Sequence, residues 1–237
     1  LKELLEYKDK FVSIVSHDLR SPVAAVLGVA DMLLNDDEVL SKLDEFYQSL
    51  ILSIQTELQR LLDYNDKLYH WSNLELGNFS MNLKQVNLKS MAEAAGKVQE
   101  AKLDEKKILF TVDVNDEFHI EVDETLFLQI LNNLVGNAVK FTPNCGSIAI
   151  SSQVVGNELE VIVSDSGVGM SKEVSQKLFD GFKRGSTMGT QGEKGTGLGL
   201  GIVKKIVDSH GFSIRVESEV GKGSNFIVSI PSEKLKS

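Results

Sequence analysis

Along the first third of the chain, apolar side chains return every three or four positions. Phe11, Val15, Leu19, Pro22, Val26, Val29 and Leu33 form one stripe; Leu43, Tyr47, Leu50, Ile54, Leu58, Leu61, Asn65 and Leu68 form a second. This spacing keeps one face of an α-helix apolar and suits the seam of a bundle. Asn35-Asp36-Asp37 interrupts it, so the pattern predicts two long helices joined by a short acidic turn, an antiparallel hairpin. One hairpin cannot cover both apolar faces. Two hairpins paired through residues 1–76 into a four-helix homodimer can.

Past residue 80 the pattern becomes mixed. Leu126, Ile130, Leu131, Leu134 and Val135 mark a helix, and Ile202, Val203, Ile206 and Val207 mark another. Ile148 and Ile150 alternate with smaller residues, Gly156-Asn157 supplies a turn, and Leu159, Val161 and Val163 alternate on the return, which predicts a hairpin. Strands are expected at 213–218 and 225–230, joined through Gly221-Lys222-Gly223. Glycine and proline follow the same division: Gly28 and Pro22 are the only ones before Gly77, whereas glycines cluster at 167–169, 181–201 and 221–223. The expected class is α+β, with a helical domain over 1–78 and a glycine-shaped α/β domain over 79–237.

Charge and composition narrow the function. The 237 residues are 42% hydrophobic and 25% charged, ordinary globular usage. The net charge is −9, and residues 1–78 carry 7 basic against 14 acidic side chains. An acidic chain lacks the field that draws nucleic acid, so no nucleic-acid partner is expected. Cys145 is the only cysteine, which excludes an intrachain disulfide and fits a reducing compartment. No apolar run approaches the ~18–20 residues of a membrane span, and no signal-peptide pattern opens the chain. The segment is expected to be cytoplasmic, without membrane contact of its own.

Several residues carry candidate chemistry. His17 lies two positions from both Val15 and Leu19, about 200° around a helix from each, so it faces away from the seam. Its stripe (Ser13, His17, Ser21, Ala24, Gly28) is otherwise small and leaves room for another protein surface. Asp18 follows it, and Pro22 removes the backbone bond to the Asp18 carbonyl, at a cost of about 3 kcal/mol in a helix interior. A solvated surface histidine is the plainer alternative. Asn133 and Asn137 share a helix face with Lys140 beyond them. Amide oxygens there can complete a magnesium shell made otherwise of phosphate and water, or the residues can be a polar stripe on a half-buried helix. Asp165-Ser-Gly167-Val-Gly169 closes a strand; it is either a simple turn or a carboxylate that accepts from an adenine amino group beside close-approach glycines. Phe179 to Arg184 leads into a polar stretch to Lys194 with the composition of a mobile lid. Gly195-Thr-Gly-Leu-Gly-Leu-Gly201 then opens a helix whose bare amides can cradle phosphate. It is neither a Walker loop nor a dinucleotide fingerprint.

In this order the motifs resemble those of the sensor histidine kinases of two-component systems. Ser16-His17-Asp18-Leu19-Arg20-Ser21-Pro22 is similar to the H-box, Asn133 to Thr142 to the N-box, and Asp165 to Gly169 to the G1-box. Phe179 to Phe182 is similar to the F-box and Gly195 to Leu200 to the G2-box. The resemblance implies an α/β sandwich of the Bergerat type shared with gyrase and Hsp90, with helices on one face of a mixed sheet. It implies ATP and Mg²⁺ as cofactors and His17 as the group that is phosphorylated, with Asp18 taking its proton. It also implies Asn137 as the metal ligand, Asp165 as the adenine reader, and Lys140 and Arg184 on phosphate. Asn133, Gly167, Gly169, Phe182, Gly195, Thr196, Gly197, Leu198, Gly199 and Leu200 complete the implied nucleotide site. A response-regulator aspartate would receive the phosphoryl group, and an upstream sensor segment is expected before Leu1.

Two positions depart from the family pattern. Ser21 stands where phosphatase-competent members usually have Thr or Asn, and Gly201 stands where Ser or Ala is commoner. ATP-hydrolysing relatives of the gyrase, Hsp90 and MutL kind place a proton-accepting glutamate at the position of Asn133, and an amide cannot play that part. A catalytically silent dimeric scaffold is the remaining alternative, against which stand the intact Asn137, Asp165 and glycines.

Overall fold

The computed structural model describes residues 19–75, 81–179, 188–191 and 198–236. The chain divides into two compact units, Leu1–Phe79 and Ser80–Ser237. His17, Asp18, Phe182, Arg184, Gly195, Thr196 and Gly197 lie outside the described residues.

In the first unit, α1 runs over 19–34, α2 is a single turn at Asp37–Leu40, and α3 spans Glu45–Glu75. The acidic connection therefore holds a turn of helix rather than a plain turn. Asp36 caps it, Oδ1 accepting from the N–H groups of Glu38 at 3.0 Å and Val39 at 3.2 Å. Asp44 likewise starts α3, accepting from the Tyr47 N–H at 3.0 Å. Gln48 Nε2 folds back to donate to the carbonyls of Leu40 and Leu43, which ties the connection to the first turns of α3.

The two helices meet along rows spaced four and three apart. Val23, Leu27 and Leu34 are half-buried and Ala30 is buried on α1. Ile51, Gln55, Leu58 and Leu62 are half-buried and Asn65 is buried on α3. Gln55 Nε2 donates to Asp31 Oδ1 at 2.6 Å across the pair. The stripes read from the sequence lie mostly on the neighbouring row. Leu19, Val26, Val29, Tyr47, Leu50, Ile54 and Leu61 remain 45–57% exposed. The hairpin thus consumes one apolar row and leaves a second without cover in the single chain.

The second unit follows in the order β1 (Leu83–Asn87), α4 (Leu88–Val98), α5 (Glu100–Lys106), β2 (Leu109–Asp113), β3 (His119–Asp123) and α6 (Glu124–Phe141). Next come β4 (Ser147–Val155), β5 (Glu158–Asp165), α7 (Lys172–Gln176), α8 (Gly199–Ser209), β6 (Ser213–Glu219), β7 (Gly223–Pro231) and β8 (Leu235–Lys236). Five strands form a mixed sheet in the order β2-β4-β5-β7-β6, parallel between β2 and β4 and antiparallel elsewhere. β1, β3 and β8 make a small antiparallel sheet.

Helix α6 lies between α4 and α8, and the three pack on the large sheet as a second layer. The core between the layers is aliphatic: Phe127, Ile130, Leu131 and Leu134 from α6, Ile202 and Ile206 from α8, and Ile148, Ile150, Leu159 and Ile230 from the strands are fully buried. Strand β4 shows the expected period of two, with Ile148 and Ile150 inward. Gly156, at φ +60°, makes the hairpin turn where a left-handed residue is required.

One polar knot sits at the base of this layer. His210 is buried and ends α8; its Nδ1–H donates to the Ile206 carbonyl at 2.8 Å, and its Nε2 accepts from the Asp123 N–H at 3.1 Å. The ring is therefore neutral, and burial lowers its pKa below the ordinary histidine value. Asp123 caps α6 by accepting from the Leu126 N–H, and its other oxygen accepts from the Asn82 N–H at 2.9 Å.

The sign of the resulting pH dependence is fixed. Above the unfolded histidine pKa, ~6.5, both states hold a neutral ring and nothing changes. As pH falls through that value the unfolded chain takes up a proton that the folded chain refuses. Stability should then drop by up to about 1.4 kcal/mol per pH unit from this one group, levelling off below the folded pKa. Urea unfolding at pH 7.5 and 5.5 should show this slope in the unsubstituted chain and a shallower one in His210→Gln. Equal slopes in the two proteins would refute the assignment.

Candidate functional site

Helix α6 supplies the axis of the site. Its apolar positions are buried, which leaves Asn133, Asn137 and Lys140 half-buried along one edge, a line about 10 Å long. Asn133 Nδ2 donates to the Gln129 carbonyl at 2.8 Å. Its Oδ1 faces the start of α8, since a Cβ on Gly199 would stand 2.7 Å from it. The Asn137 amide makes no hydrogen bond with the described residues.

The start of α8 carries no side-chain cap. Leu198 occupies its N-cap position and is itself buried. The first N–H groups of an uncapped helix need an acceptor, and an anion satisfies them. Gly201 has open space around it and an unstrained backbone, so the departure from Ser or Ala reflects no steric demand.

At the C-terminal end of α6, the Phe141 carbonyl accepts from the Val168 N–H at 3.1 Å, which docks the Asp165–Gly169 turn on the last turn of the helix. Asp165 ends β5, and its Oδ1 accepts from the Gly167 N–H at 2.8 Å. A Cβ on Gly167 would stand 2.5 Å from that oxygen and 2.6 Å from the Phe141 carbonyl oxygen, so no side chain fits. Gly169 has φ +63°, and a Cβ there would collide with the Glu219 carbonyl. Burial pushes the Asp165 carboxyl above the usual carboxylate range, against the pull of backbone hydrogen bonds from Gly167 and Ser224. A partly desolvated carboxylate is a strong acceptor for an amino group. The Lys140 ammonium lies 4.6 Å from the Phe141 ring centroid, at the same end of the helix.

The fold thus gathers Asn133, Asn137, Lys140, Asp165, Gly167, Gly169, Leu198, Gly199 and Leu200 along the second half of α6 and at its C-terminal end. Among the described residues, no group of three or more His, Cys, Asp or Glu could hold a metal unaided. A hard cation at the Asn137 oxygen would therefore take the rest of its shell from phosphate and water, which this donor set fits.

Sequence reasoning passed over three contributors. Gly223, read only as part of a turn, has φ +97° and leaves no room for a Cβ against the Asp165 carbonyl. Lys106 is 3% exposed and reaches the end of α6, and Thr190 meets it there. The pairing of two glycines around one lysine was a visible hint for Gly223. Lys106 sits in a charged run that gives no such hint.

Comparison with known proteins decides what this arrangement belongs to. Residues 122–234 match the family model for "Histidine kinase-, DNA gyrase B-, and HSP90-like ATPase", and residues 7–77 match "His Kinase A (phospho-acceptor) domain". The catalytic domain of the histidine kinase ThkA is 34% identical, with TM-score 0.56, over 64% of this chain and 97% of that one. The chain belongs to the sensor histidine kinases. SenX3 of Mycolicibacterium smegmatis is 32% identical over 93% of this histidine kinase and 56% of its own length. Full-length ShkA in complex with AMPPNP superposes with TM-score 0.76 at 26% identity, over 94% of this chain and 45% of that one. The chain spans about half the length or less of the curated relatives it matches. The kinase carries a phosphoacceptor domain and an ATP-binding domain in tandem, as its motifs imply, and no helix among its described residues is long and apolar enough to cross a membrane.

Asp165 offers a direct test. Its burial penalises the charged form at neutral pH, so Asp165→Asn in the nucleotide-free kinase should melt at least as high as the parent. It should lose about 10- to 100-fold in ATP affinity, the worth of a hydrogen bond to a charged group. Thermal scans with and without ATP check both, and nucleotide-induced stabilisation that persists in the variant would overturn the role.

Proposed function

We propose that this histidine kinase binds ATP with Mg²⁺ along α6 in its second unit and transfers the γ-phosphoryl group to His17. The observation that carries the reading is the convergence on α6 of a desolvated carboxylate at its C-terminal end and a helix start without a side-chain cap that faces Asn133 at its middle. Asp165 accepts from the adenine amino group, and Gly167 and Gly169 let the backbone lie against the ring. The N–H groups at the start of α8, with Lys140, Arg184 and the 195–197 glycines, hold the phosphates. Thr196, Leu198, Leu200, Phe182 and Asn133 complete the walls of the site. Asn137 would hold the metal through its side-chain oxygen; bound magnesium supplies charge neutralisation and alignment of the phosphates.

His17 attacks the γ-phosphorus through Nε2. The new N–P bond forms as the bond to the β–γ bridging oxygen breaks, and ADP leaves with that electron pair. Asp18 accepts the proton from Nδ1, which returns the ring to neutrality and makes it more nucleophilic. Positioning and charge neutralisation supply most of the rate. The phosphohistidine then passes its phosphoryl group to a response-regulator aspartate; Ser21, where phosphatase-competent members usually have Thr or Asn, argues against hydrolysis of that aspartyl phosphate by this chain. The exposed apolar row on α1 and α3 supports homodimerisation through residues 1–76.

Incubation with γ-labelled ATP and Mg²⁺ should label the chain with a bond that is lost in acid and survives alkali. His17→Gln should abolish that label, and its retention would move the phosphoacceptor elsewhere. Leu50→Glu places an unpaired charge in the uncovered row and should convert dimers to monomers in sedimentation measurements. A dimer of unchanged affinity would put the interface on another face.

A further inference from the structure

Lys106 ends α5 and is almost wholly buried, an unusual place for an ammonium group. Its Nζ donates to the Val139 carbonyl at 2.9 Å and to Thr190 Oγ1 at 2.9 Å, and it lies 3.4 Å from the Lys140 carbonyl. Thr190 closes the circuit. Its N–H donates to the Lys140 carbonyl at 3.0 Å, and its hydroxyl lies 3.1 Å from that oxygen and 3.2 Å from the Thr142 carbonyl.

These acceptors are the last carbonyls of α6, which no further turn of helix satisfies. A cation there also faces the negative end of the helix dipole. The same turn presents Lys140 and docks the Asp165–Gly169 turn through Phe141. In sequence, Thr190 stands between the Phe182 and Arg184 pair and the Gly195–Leu200 run, the two groups proposed to flank the phosphates.

We infer that Lys106 is a positioning residue for nucleotide, acting through Thr190. The pair fastens the 188–191 segment to the end of α6, the turn that presents Lys140 and docks the Asp165–Gly169 turn. Holding the last turn of α6 fixes Lys140 and the docked Asp165–Gly169 turn before nucleotide arrives, which lowers the ordering cost of binding. The inference rests on the nucleotide reading of α6 given above.

The test uses the whole chain and Mg·ATP as the probe. Thr190 is exposed, so Thr190→Val should keep the parent melting temperature while raising KM for Mg·ATP in autophosphorylation by about two- to tenfold, the worth of one hydrogen bond. The rate constant kcat should change less than KM. Thr190→Ser should restore the parent KM, because it returns the hydroxyl. Lys106→Met should raise KM similarly, and adding Thr190→Val to it should raise KM little further. A Thr190→Val protein with the parent KM, or independent additive effects of the two substitutions, overturns the coupling. Failure of the unsubstituted chain to bind Mg·ATP by calorimetry would instead overturn the nucleotide reading itself.

Discussion

The site depends on backbone packed against backbone where no side chain can intervene. The Asp165–Gly169 turn lies between the last turn of α6 and the connection from β6 to β7, and Gly167, Gly169 and Gly223 each face a carbonyl that a Cβ would strike. Two of them also hold positive φ. With those three contacts made, Asp165 has one orientation at the mouth of the sheet, and α6 has one position relative to it. A substitution at any of the three would separate layers that the aliphatic core otherwise holds together.

Electrostatics explains why the site is built from amides and peptide groups rather than charges. Asp165 already bears a burial penalty. A second carboxylate in the same pocket would raise that penalty and repel a triphosphate as well. In the proposed site Asn133 and Asn137 would supply oxygen without charge, and the start of α8 would supply backbone N–H groups. Among the described residues, the cations that reach the area, Lys106 and Lys140, gather at the carbonyl end of α6, where the helix dipole favours them.

Most of this was legible in the sequence because the deciding residues are conformationally unusual. Glycines at 156, 167 and 169 stand where the structure needs close approach or a left-handed backbone, and the alternation at Ile148, Ile150 and Leu159 gave the central hairpin directly. The region from Leu83 to Asp123 was not legible. Its strands β1, β2 and β3 are five residues each, too short for periodicity to declare itself. Lys106 was invisible for another reason: a lysine in Asp104-Glu105-Lys106-Lys107 reads as solvated surface, and only the fold buries it. In the helical hairpin the apolar spacing was right, but it could not rank two adjacent apolar rows. The structure puts Val23, Leu27, Ala30 and Leu34 inside and leaves Val26 and Val29 outside.

Asp123 has a mechanical aspect. One of its oxygens holds the first turn of α6, the other holds the Asn82 N–H just beyond the junction of the two units, and its own N–H is held by the histidine that ends α8. Tension applied to the chain at residue 81 therefore arrives, through a single residue, at the near ends of both helices, whose far ends carry Phe141 and Gly199. Stiff rods pivoted close together at one end move their opposite ends by the largest amount. A small displacement at this junction is in that sense geared up before it reaches the start of α8 and the last turn of α6.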